Sequence, residues 1–241
     1  MDHVKTTTKL GWIGVVAVLA LAGCDRDPLV HQDTKHAQKI YEGRAIGWTK
    51  WALEQPWSTG PVRDTDGSAC ALEQHGSVWY LAGTTGGAVE RACTVPADAH
   101  IFFPLMNRWV APTPDSIIED DPENDLAAWL AFVVEYFAER RAQTCALSLR
   151  LDDEDLLPDL ESMDEELYVD VLDQFTVNMG DDNFATDFGG TAGPRVTWVD
   201  GHWALLRPLP PGDHTLEFGG TRCVDGEAVF ETNATYQLHV E

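Results

Sequence analysis

Basic residues are scarce in this chain. It has 16 Lys and Arg against 40 Asp and Glu, which gives a formal net charge of -24 over 241 residues. All of its lysines lie at or before Lys50. Such a surface repels a polyanion and offers no basic patch that would release counterions. The composition therefore argues against nucleic acid as a partner.

Motifs of catalysis and metal binding are absent as well. The phosphate-loop pattern G-x-x-x-x-G-K-[ST], the nucleophile elbow G-x-S-x-G, the zinc pattern H-E-x-x-H and the pair C-x-x-C do not occur. His31 and His36 are near neighbours but not at zinc spacing on a convincing helix, so we favour surface or hydrogen-bonded histidines. Carboxylates are so numerous that they single out no acid–base pair. We predict no catalytic residues, no metal ligands and no cofactor.

The N-terminus has the organisation of an export signal. A polar stretch with two lysines precedes an apolar run, Leu10–Ala22, that is short for a bilayer span. The run ends in Leu21-Ala22-Gly23-Cys24, which resembles the lipobox of bacterial lipoproteins. The resemblance implies removal of residues 1–23 and acylation of Cys24, with stable anchoring by two or three acyl chains. The alternatives are an ordinary secretion signal and a transmembrane anchor.

The resulting organisation has three parts. Residues 1–23 are the predicted signal peptide, 24–33 a tether and 34–241 one folded domain. The expected location is the cell envelope, on the periplasmic face or at the outer membrane, with membrane contact through the N-terminal lipid. The acidic surface opposes binding to anionic headgroups, so the acyl chains must supply the attachment.

Four further cysteines remain in the domain, namely Cys70, Cys93, Cys145 and Cys223. An even number in an exported chain indicates two disulfides with three possible connectivities. We favour Cys70–Cys93, because these two bracket an apparent hairpin, together with Cys145–Cys223.

Hydrophobic periodicity predicts two helices, over residues 34–55 and from Asn124 or Asp125 to about Thr144. One face of the second helix carries its large apolar residues, Leu126, Trp129, Leu130, Val133 and Phe137. Strand-like runs fill much of the rest: Ser77–Ala82, Ala88–Val95, His100–Leu105, Ala146–Leu151, Leu167–Leu172, Phe175–Met179, Arg195–Val199, His202–Arg207, His214–Phe218 and Val229–Val240.

Glycine-rich turns join several of these runs. Gly83–Gly87 is typical of a hairpin turn, and Asp200-Gly201 of a second turn. The pattern predicts a mainly β fold with two helices, an antiparallel β-sandwich of jelly-roll or immunoglobulin-like type. We expect 195–207 and 214–219 to share a sheet. Along the last strand, Tyr236, Leu238 and Val240 should face the core.

Two groups of residues leave alternatives open. The oxygen-bearing side chains Asp181, Asp182, Asn183 and Asp187 would suit Ca²⁺, but their spacing misses the EF-hand pattern. We therefore favour a solvated loop. Trp48, Trp51 and Trp57 would suit a platform for sugar rings, but the helical spacing of Trp48 and Trp51 favours packing in the core.

Two stretches of the domain resemble a group of uncharacterised secreted prokaryotic proteins. The likeness covers roughly residues 44–107 and 195–240. It rests on these motifs: Gly76-Ser77-Val78-Trp79-Tyr80-Leu81-Ala82-Gly83, Gly86-Gly87, Arg91, Cys93-Thr94-Val95-Pro96-Ala97, Phe102-Phe103-Pro104-Leu105, Asp200-Gly201-His202-Trp203 and Leu209-Pro210-Pro211-Gly212-Asp213-His214-Thr215. The resemblance implies a secreted β-rich domain and no particular activity.

These observations lead to two functional hypotheses. The first is a membrane-anchored, non-enzymatic binding or structural module of the envelope, with a protein or polysaccharide ligand. The second is a carboxylate-dependent hydrolase of envelope polysaccharide. A cleft with two facing carboxylates, one of them buried, would favour the hydrolase.

Overall fold

The computed structural model describes residues 27–119, 121–157, 165–186 and 190–241. Within them, two β-sheets face each other and two α-helices pack mainly on the first sheet. In chain order the elements are α1 (Lys35–Leu53), β1 (Val78–Tyr80), β2 (Gly87–Val95), β3 (His100–Val110), a 3₁₀ turn (Pro114–Ser116), α2 (Leu126–Ala142), β4 (Thr144–Leu151), β5 (Glu154–Asp155), β6 (Tyr168–Met179), β7 (Gly193–Leu206), β8 (Gly212–Val224) and β9 (Glu227–Val240). The predicted mainly β fold with two helices is confirmed.

The two sheets are mixed. Sheet A has the strand order β1-β3-β7-β6, and sheet B has the order β2-β9-β8-β4-β5. β1 runs parallel to β3, and β2 runs parallel to β9, while the other strand pairs are antiparallel. The sandwich is confirmed, but the expectation of a strictly antiparallel arrangement is wrong.

The loop Gly83–Gly87 does not close a hairpin, so that prediction is also wrong. The strands on either side of it, β1 and β2, lie in different sheets. The Thr84 hydroxyl accepts a hydrogen bond from the Gly86 amide at 3.1 Å and lies 3.0 Å from the hydroxyl of Thr232 on β9. Sheet B therefore holds the loop, which carries the chain from one sheet to the other instead of reversing it.

β7 runs without interruption through the predicted turn at Asp200-Gly201. Gly201 has a φ of +154°, and a Cβ atom on it would lie 2.4 Å from the Met106 carbonyl oxygen on β3. This glycine permits the close approach of a neighbouring strand rather than a reversal of the chain. Since β7 belongs to sheet A and β8 to sheet B, the expectation that 195–207 and 214–219 share a sheet is wrong as well.

Aromatic rings fill the space between the sheets. Phe103 of sheet A lies 4.3 Å from Phe218 of sheet B, measured between ring centroids, and Phe218 stacks on Tyr236 at 5.8 Å. Tyr236, Leu238 and Val240 are each 2% exposed, so their predicted orientation toward the core is confirmed. Burying a large apolar side chain of this kind stabilises a fold by about 1.5–3 kcal/mol.

Helix α1 covers the outer face of sheet A. The Thr34 side chain caps it by accepting the Ala37 amide at 3.1 Å. Trp48 and Trp51 are buried, and Trp48 contacts Trp203 of β7 with 5.3 Å between ring centroids. The interpretation of Trp48 and Trp51 as core residues is therefore confirmed.

The four cysteines of the domain form two pairs. Cys70 is joined to Cys93 with 5.9 Å between the Cα atoms, and Cys145 is joined to Cys223 with 5.7 Å. The first pair does not bracket a hairpin but fastens the turn-rich segment before β1 to β2. The second ties the start of β4 to the end of β8, its neighbour in sheet B. Each bond stabilises the domain by about 2–4 kcal/mol.

The segment before α1 packs on the domain. Leu29 is 1% exposed and forms a β-bridge with Leu206, and the Val30 amide donates to the Leu205 carbonyl at 2.9 Å. Residues 28–32, which the sequence analysis assigns to the tether, are thus part of the folded unit. The predicted signal and lipobox lie outside the described residues. Among the residues described, no helix has both the length and the hydrophobicity needed to cross a bilayer.

The His31 side chain links this segment to Glu166, and its contacts predict the direction of its pKa shift. Its ring nitrogens lie 2.8 Å from carboxylate oxygens of Asp27 and Glu166. Both nitrogens donate only in the imidazolium form, so the bond to Asp27 and then the bond to Glu166 raise the pKa of His31 against the effect of burial. At His100, burial and the nearby arginines lower the pKa.

We therefore expect histidine titration followed by NMR to give a pKa above 6.5 for His31 and below 6.5 for His100. The stability that His31 contributes is fully present below its unfolded pKa of about 6.5 and is lost as the pH rises through the folded value. Since the side chain is 37% exposed, solvent screening limits this contribution to a few tenths of a kcal/mol. A pKa of His31 below that of His100 would contradict the assignment.

Candidate functional site

A cleft of about 260 Å³ opens where α1, β3 and sheet B meet. Pairing of β1 with β3 ends at Phe102, and the later part of β3 forms one wall through Asn107–Trp109. The loop residues Gly83–Thr85, Phe230 of β9 and Trp48, which is 2% exposed, also line the cleft. The cleft is therefore assembled from segments that are distant in the sequence.

Asn107 presents a hydrogen-bond donor that the protein does not use. Its amide nitrogen Nδ2 is buried and has no hydrogen-bond partner. A buried amide N–H without a partner costs about 1–3 kcal/mol, so native proteins satisfy nearly all such groups with protein, water or ligand. Asn107 is also one of the residues that line the cleft.

Arg108 also borders the cleft, and its guanidinium is held by a buried carboxylate. Its Nε donates to Asp200 at 2.5 Å and its Nη2 donates to the other Asp200 oxygen at 2.7 Å. The Tyr168 hydroxyl also donates to Asp200, at 2.6 Å. The remaining nitrogen, Nη1, has no partner among the described residues. The network orders the Arg108 side chain on the face of sheet A that carries the Asp200 side chain, which is opposite to the face of Asn107 because consecutive residues of a strand point to opposite faces.

Burial dominates the electrostatics of this network. It raises the pKa of Asp200, although the Arg108 ion pair and the Tyr168 bond lower it. Burial, followed by the charge of Asp200, also raises the pKa of Tyr168, which therefore stays a hydroxyl donor. The positive charge of Arg108 is largely balanced by Asp200. The pair therefore adds little net charge beside the cleft.

Arg91, buried at 2% exposure, holds the walls of the cleft in place. Its Nη1 donates to the Gly83 carbonyl at 3.1 Å and to the Tyr236 hydroxyl at 2.8 Å, and its Nη2 donates to the Val62 carbonyl at 3.4 Å. Val62 and Gly83 both line the cleft. The cleft is thus supported by the core of sheet B and is preorganised rather than formed by mobile side chains.

In chemical terms, the cleft combines aromatic surface with donors. Trp109 and Phe230 supply apolar rings, whereas Asn107 supplies a side-chain amide. None of the described residues that line it is Asp or Glu. Both oxygens of the buried Asp200 already accept hydrogen bonds. This arrangement suits binding of a group with acceptor oxygens and an apolar face.

The structure does not gather the other predicted candidates into a site. The Asp182 carboxylate accepts the Ser58 amide at 3.2 Å, and Asn183 accepts the Ala185 amide at 3.0 Å, while Asp187 lies outside the described residues. In the described part of the chain, no group of three or more His, Cys, Asp or Glu side chains could hold a metal ion. Trp57 is half-buried and packs on Phe184 rather than in the cleft.

Sequence reasoning missed Asn107, Arg108 and Trp109. The predicted strand stops at Leu105, whereas β3 continues to Val110. The residues after Met106 carry no strand periodicity, since Asn107 and Arg108 are consecutive polar residues and Trp109 and Val110 are consecutive apolar ones. The bulge between Pro104 and Met106 further shifts the facing of the side chains by one residue.

No protein-family model, no curated protein and no solved structure matches the chain. The fold and the cleft define a two-sheet β-sandwich with an aromatic, donor-lined cleft.

Proposed function

We propose that this chain is a lipid-anchored, non-enzymatic binding module of the bacterial cell envelope and that the cleft is its ligand site. The carrying observation is the Asn107 side chain, which belongs to a residue that lines an aromatic cleft and whose buried Nδ2 has no hydrogen-bond partner. The lipid anchor is proposed from the lipobox at Cys24. Together they describe a domain held close to its membrane that captures a ligand from the envelope.

The chemistry of the cleft favours a polysaccharide ligand over a protein. A volume of about 260 Å³ suits one sugar ring rather than a protein surface. The rings of Trp109 and Phe230 suit the apolar face of a sugar, and the Asn107 amide suits a carbonyl oxygen. The net charge of -24 and the Asp200–Arg108 pair disfavour a polyanion. A neutral sugar with an acetamido group meets all of these requirements.

Calorimetric titration of the mature protein in detergent tests this proposal. We expect the β-1,4-linked trimer of N-acetylglucosamine to bind with a millimolar or lower Kd, and the glucose trimer, which lacks the acetamido carbonyl, to bind at least tenfold more weakly. Asn107→Leu should weaken binding about tenfold, since one hydrogen bond to a buried group is worth roughly 1.4 kcal/mol. Asn233→Leu, at an exposed position of β9, is the matched control and should bind normally.

Equal binding of the two trimers, or unchanged binding by Asn107→Leu, would contradict the assignment of the cleft. The hydrolase hypothesis has one observation in its favour, the buried Asp200 with its raised pKa. It requires that the protein release shorter products from the trimer and that Asp200→Asn abolish the release while the trimer still binds. The engaged oxygens of Asp200 favour the binding module.

A further inference from the structure

Trp57 differs from the two other tryptophans that would suit a sugar platform. The indole N–H groups of Trp48 and Trp51 donate to the carbonyls of Leu81 and Leu72, at 2.8 Å in each case, so both rings are fixed in the core. Trp57 is half-buried, and its indole nitrogen has no hydrogen-bond partner among the described residues. This nitrogen is open to solvent, so a ligand oxygen can accept its N–H group.

Trp57 also belongs to a series of aromatic rings that begins in the cleft. Trp109, which lines the cleft, lies 5.6 Å from Phe184 between ring centroids, and Phe184 lies 6.1 Å from Trp57. All three side chains are half-buried, so each keeps part of its surface exposed. We refer to Trp109, Phe184 and Trp57 as the aromatic row. The row carries apolar surface from the cleft to the segment that follows α1.

Hydrogen bonds fix the loop that carries Phe184 to the segment that carries Trp57. The Trp57 amide donates to the Asp182 carbonyl at 2.9 Å, and the amide and hydroxyl of Ser58 donate to the Asp182 carboxylate. Asn183, 2% exposed, uses its side-chain amide to bond backbone groups of the same loop. The residues that would have suited Ca²⁺ thus order this loop. The aromatic row is formed before a ligand arrives, which lowers the entropic cost of binding.

We propose that the aromatic row binds the sugar units that follow the one held in the cleft, so that the ligand is a glycan chain rather than a free sugar. This inference rests on the proposed function of the cleft and extends the same site. The cleft, at about 260 Å³, has room for one ring. The ring centres of the row, 5.6 and 6.1 Å apart, are separated by about the width of a sugar. Neighbouring units of a chain can therefore contact neighbouring rings, and their hydroxyl oxygens can accept the open indole N–H groups.

Comparison of a short and a long ligand tests the proposal. N-acetylglucosamine has one ring and fills only the cleft, whereas its β-1,4-linked hexamer also reaches the aromatic row. We expect the mature wild-type protein in detergent to bind the hexamer roughly tenfold more tightly than the monomer. Trp57→Ala should weaken hexamer binding about fivefold and leave monomer binding unchanged. Trp57→Phe, which keeps a ring but lacks the N–H group, should lie between the wild type and Trp57→Ala.

Trp129→Ala is the matched control. Trp129 is also half-buried in an edge-to-face pair, 5.8 Å from Phe132, but it lies on α2 and is not among the described residues that line the cleft. This variant should bind both ligands as the wild type does. In the nitrogen–proton NMR spectrum, the Trp57 indole signal is identified by its loss in Trp57→Phe. It should shift with the hexamer and stay in place with the monomer, a result that does not depend on the stability of an alanine variant.

Three results would overturn the inference, and they separate it from the proposed function. If the monomer binds and requires Asn107 but the hexamer does not move the Trp57 indole signal, the cleft stands and the aromatic row is refuted. If neither ligand binds the wild type, the proposed function fails and this inference fails with it. If Trp57→Ala weakens monomer and hexamer binding equally, Trp57 supports the shape of the cleft and is not a separate binding position.

Discussion

Truncation after Thr221 should abolish cooperative unfolding. The deletion removes Cys223, the end of β8 and all of β9, the strand that lies between β2 and β8 in sheet B. It takes away the buried side chains of Tyr236, Leu238 and Val240, worth about 1.5–3 kcal/mol each, and a disulfide worth about 2–4 kcal/mol. The loss, on the order of 10 kcal/mol, is comparable to the 5–15 kcal/mol by which domains are stable.

Thermal melting followed by circular dichroism measures this effect. The matched control is the full-length protein with Cys145→Ser and Cys223→Ser, which lacks the same disulfide but keeps β9. We expect this control to unfold cooperatively at a lower temperature and the truncated chain to show no transition. A truncated chain that melts cooperatively near the full-length temperature would show that β9 is dispensable, contrary to its central position in sheet B.

The elements of the fold were predictable because their signals are local. Thr34 and Asp125 cap α1 and α2, and the alternation of Tyr236, Leu238 and Val240 identifies both the strand and its buried face. The period of the apolar pattern predicts which side chains are buried, and a short stretch of sequence is enough to show that period. The prediction of a sandwich likewise needed only the number and length of the strands.

Strand partners were not predictable from the same information. The sequence around Gly83–Gly87 is compatible both with a hairpin, in which the chain reverses, and with a connection that crosses to the second sheet. The choice depends on β3 and β9, and β9 is about 140 residues away in sequence. Gly201 is a similar case, since the missing side chain allows β3 to approach closely and does not mark a turn. The cleft could not be predicted for the same reason, because Trp48, Asn107 and Phe230 come together only through such strand pairings.

The second large effect concerns the proposed anchor. Cys24→Ala should move the processed protein from the detergent-rich phase to the aqueous phase in a Triton X-114 partition. Acyl chains contribute about 0.8 kcal/mol per buried CH₂ group, and two or three chains hold a protein stably. Without them, the excess of acidic over basic residues opposes contact with anionic headgroups.

The control for Cys24→Ala is the Cys145→Ser and Cys223→Ser protein, which changes two other cysteines and should still enter the detergent phase. Labelled palmitate should be incorporated by the wild-type chain and by this control but not by Cys24→Ala. Because residues 28–32 are fixed to the domain by Leu29 and His31, loss of the acyl chains should leave the fold and its melting temperature unchanged. Detergent partition of Cys24→Ala equal to that of the wild type, with no palmitate in either, would refute the lipobox and leave the apolar run Leu10–Ala22 as the membrane anchor.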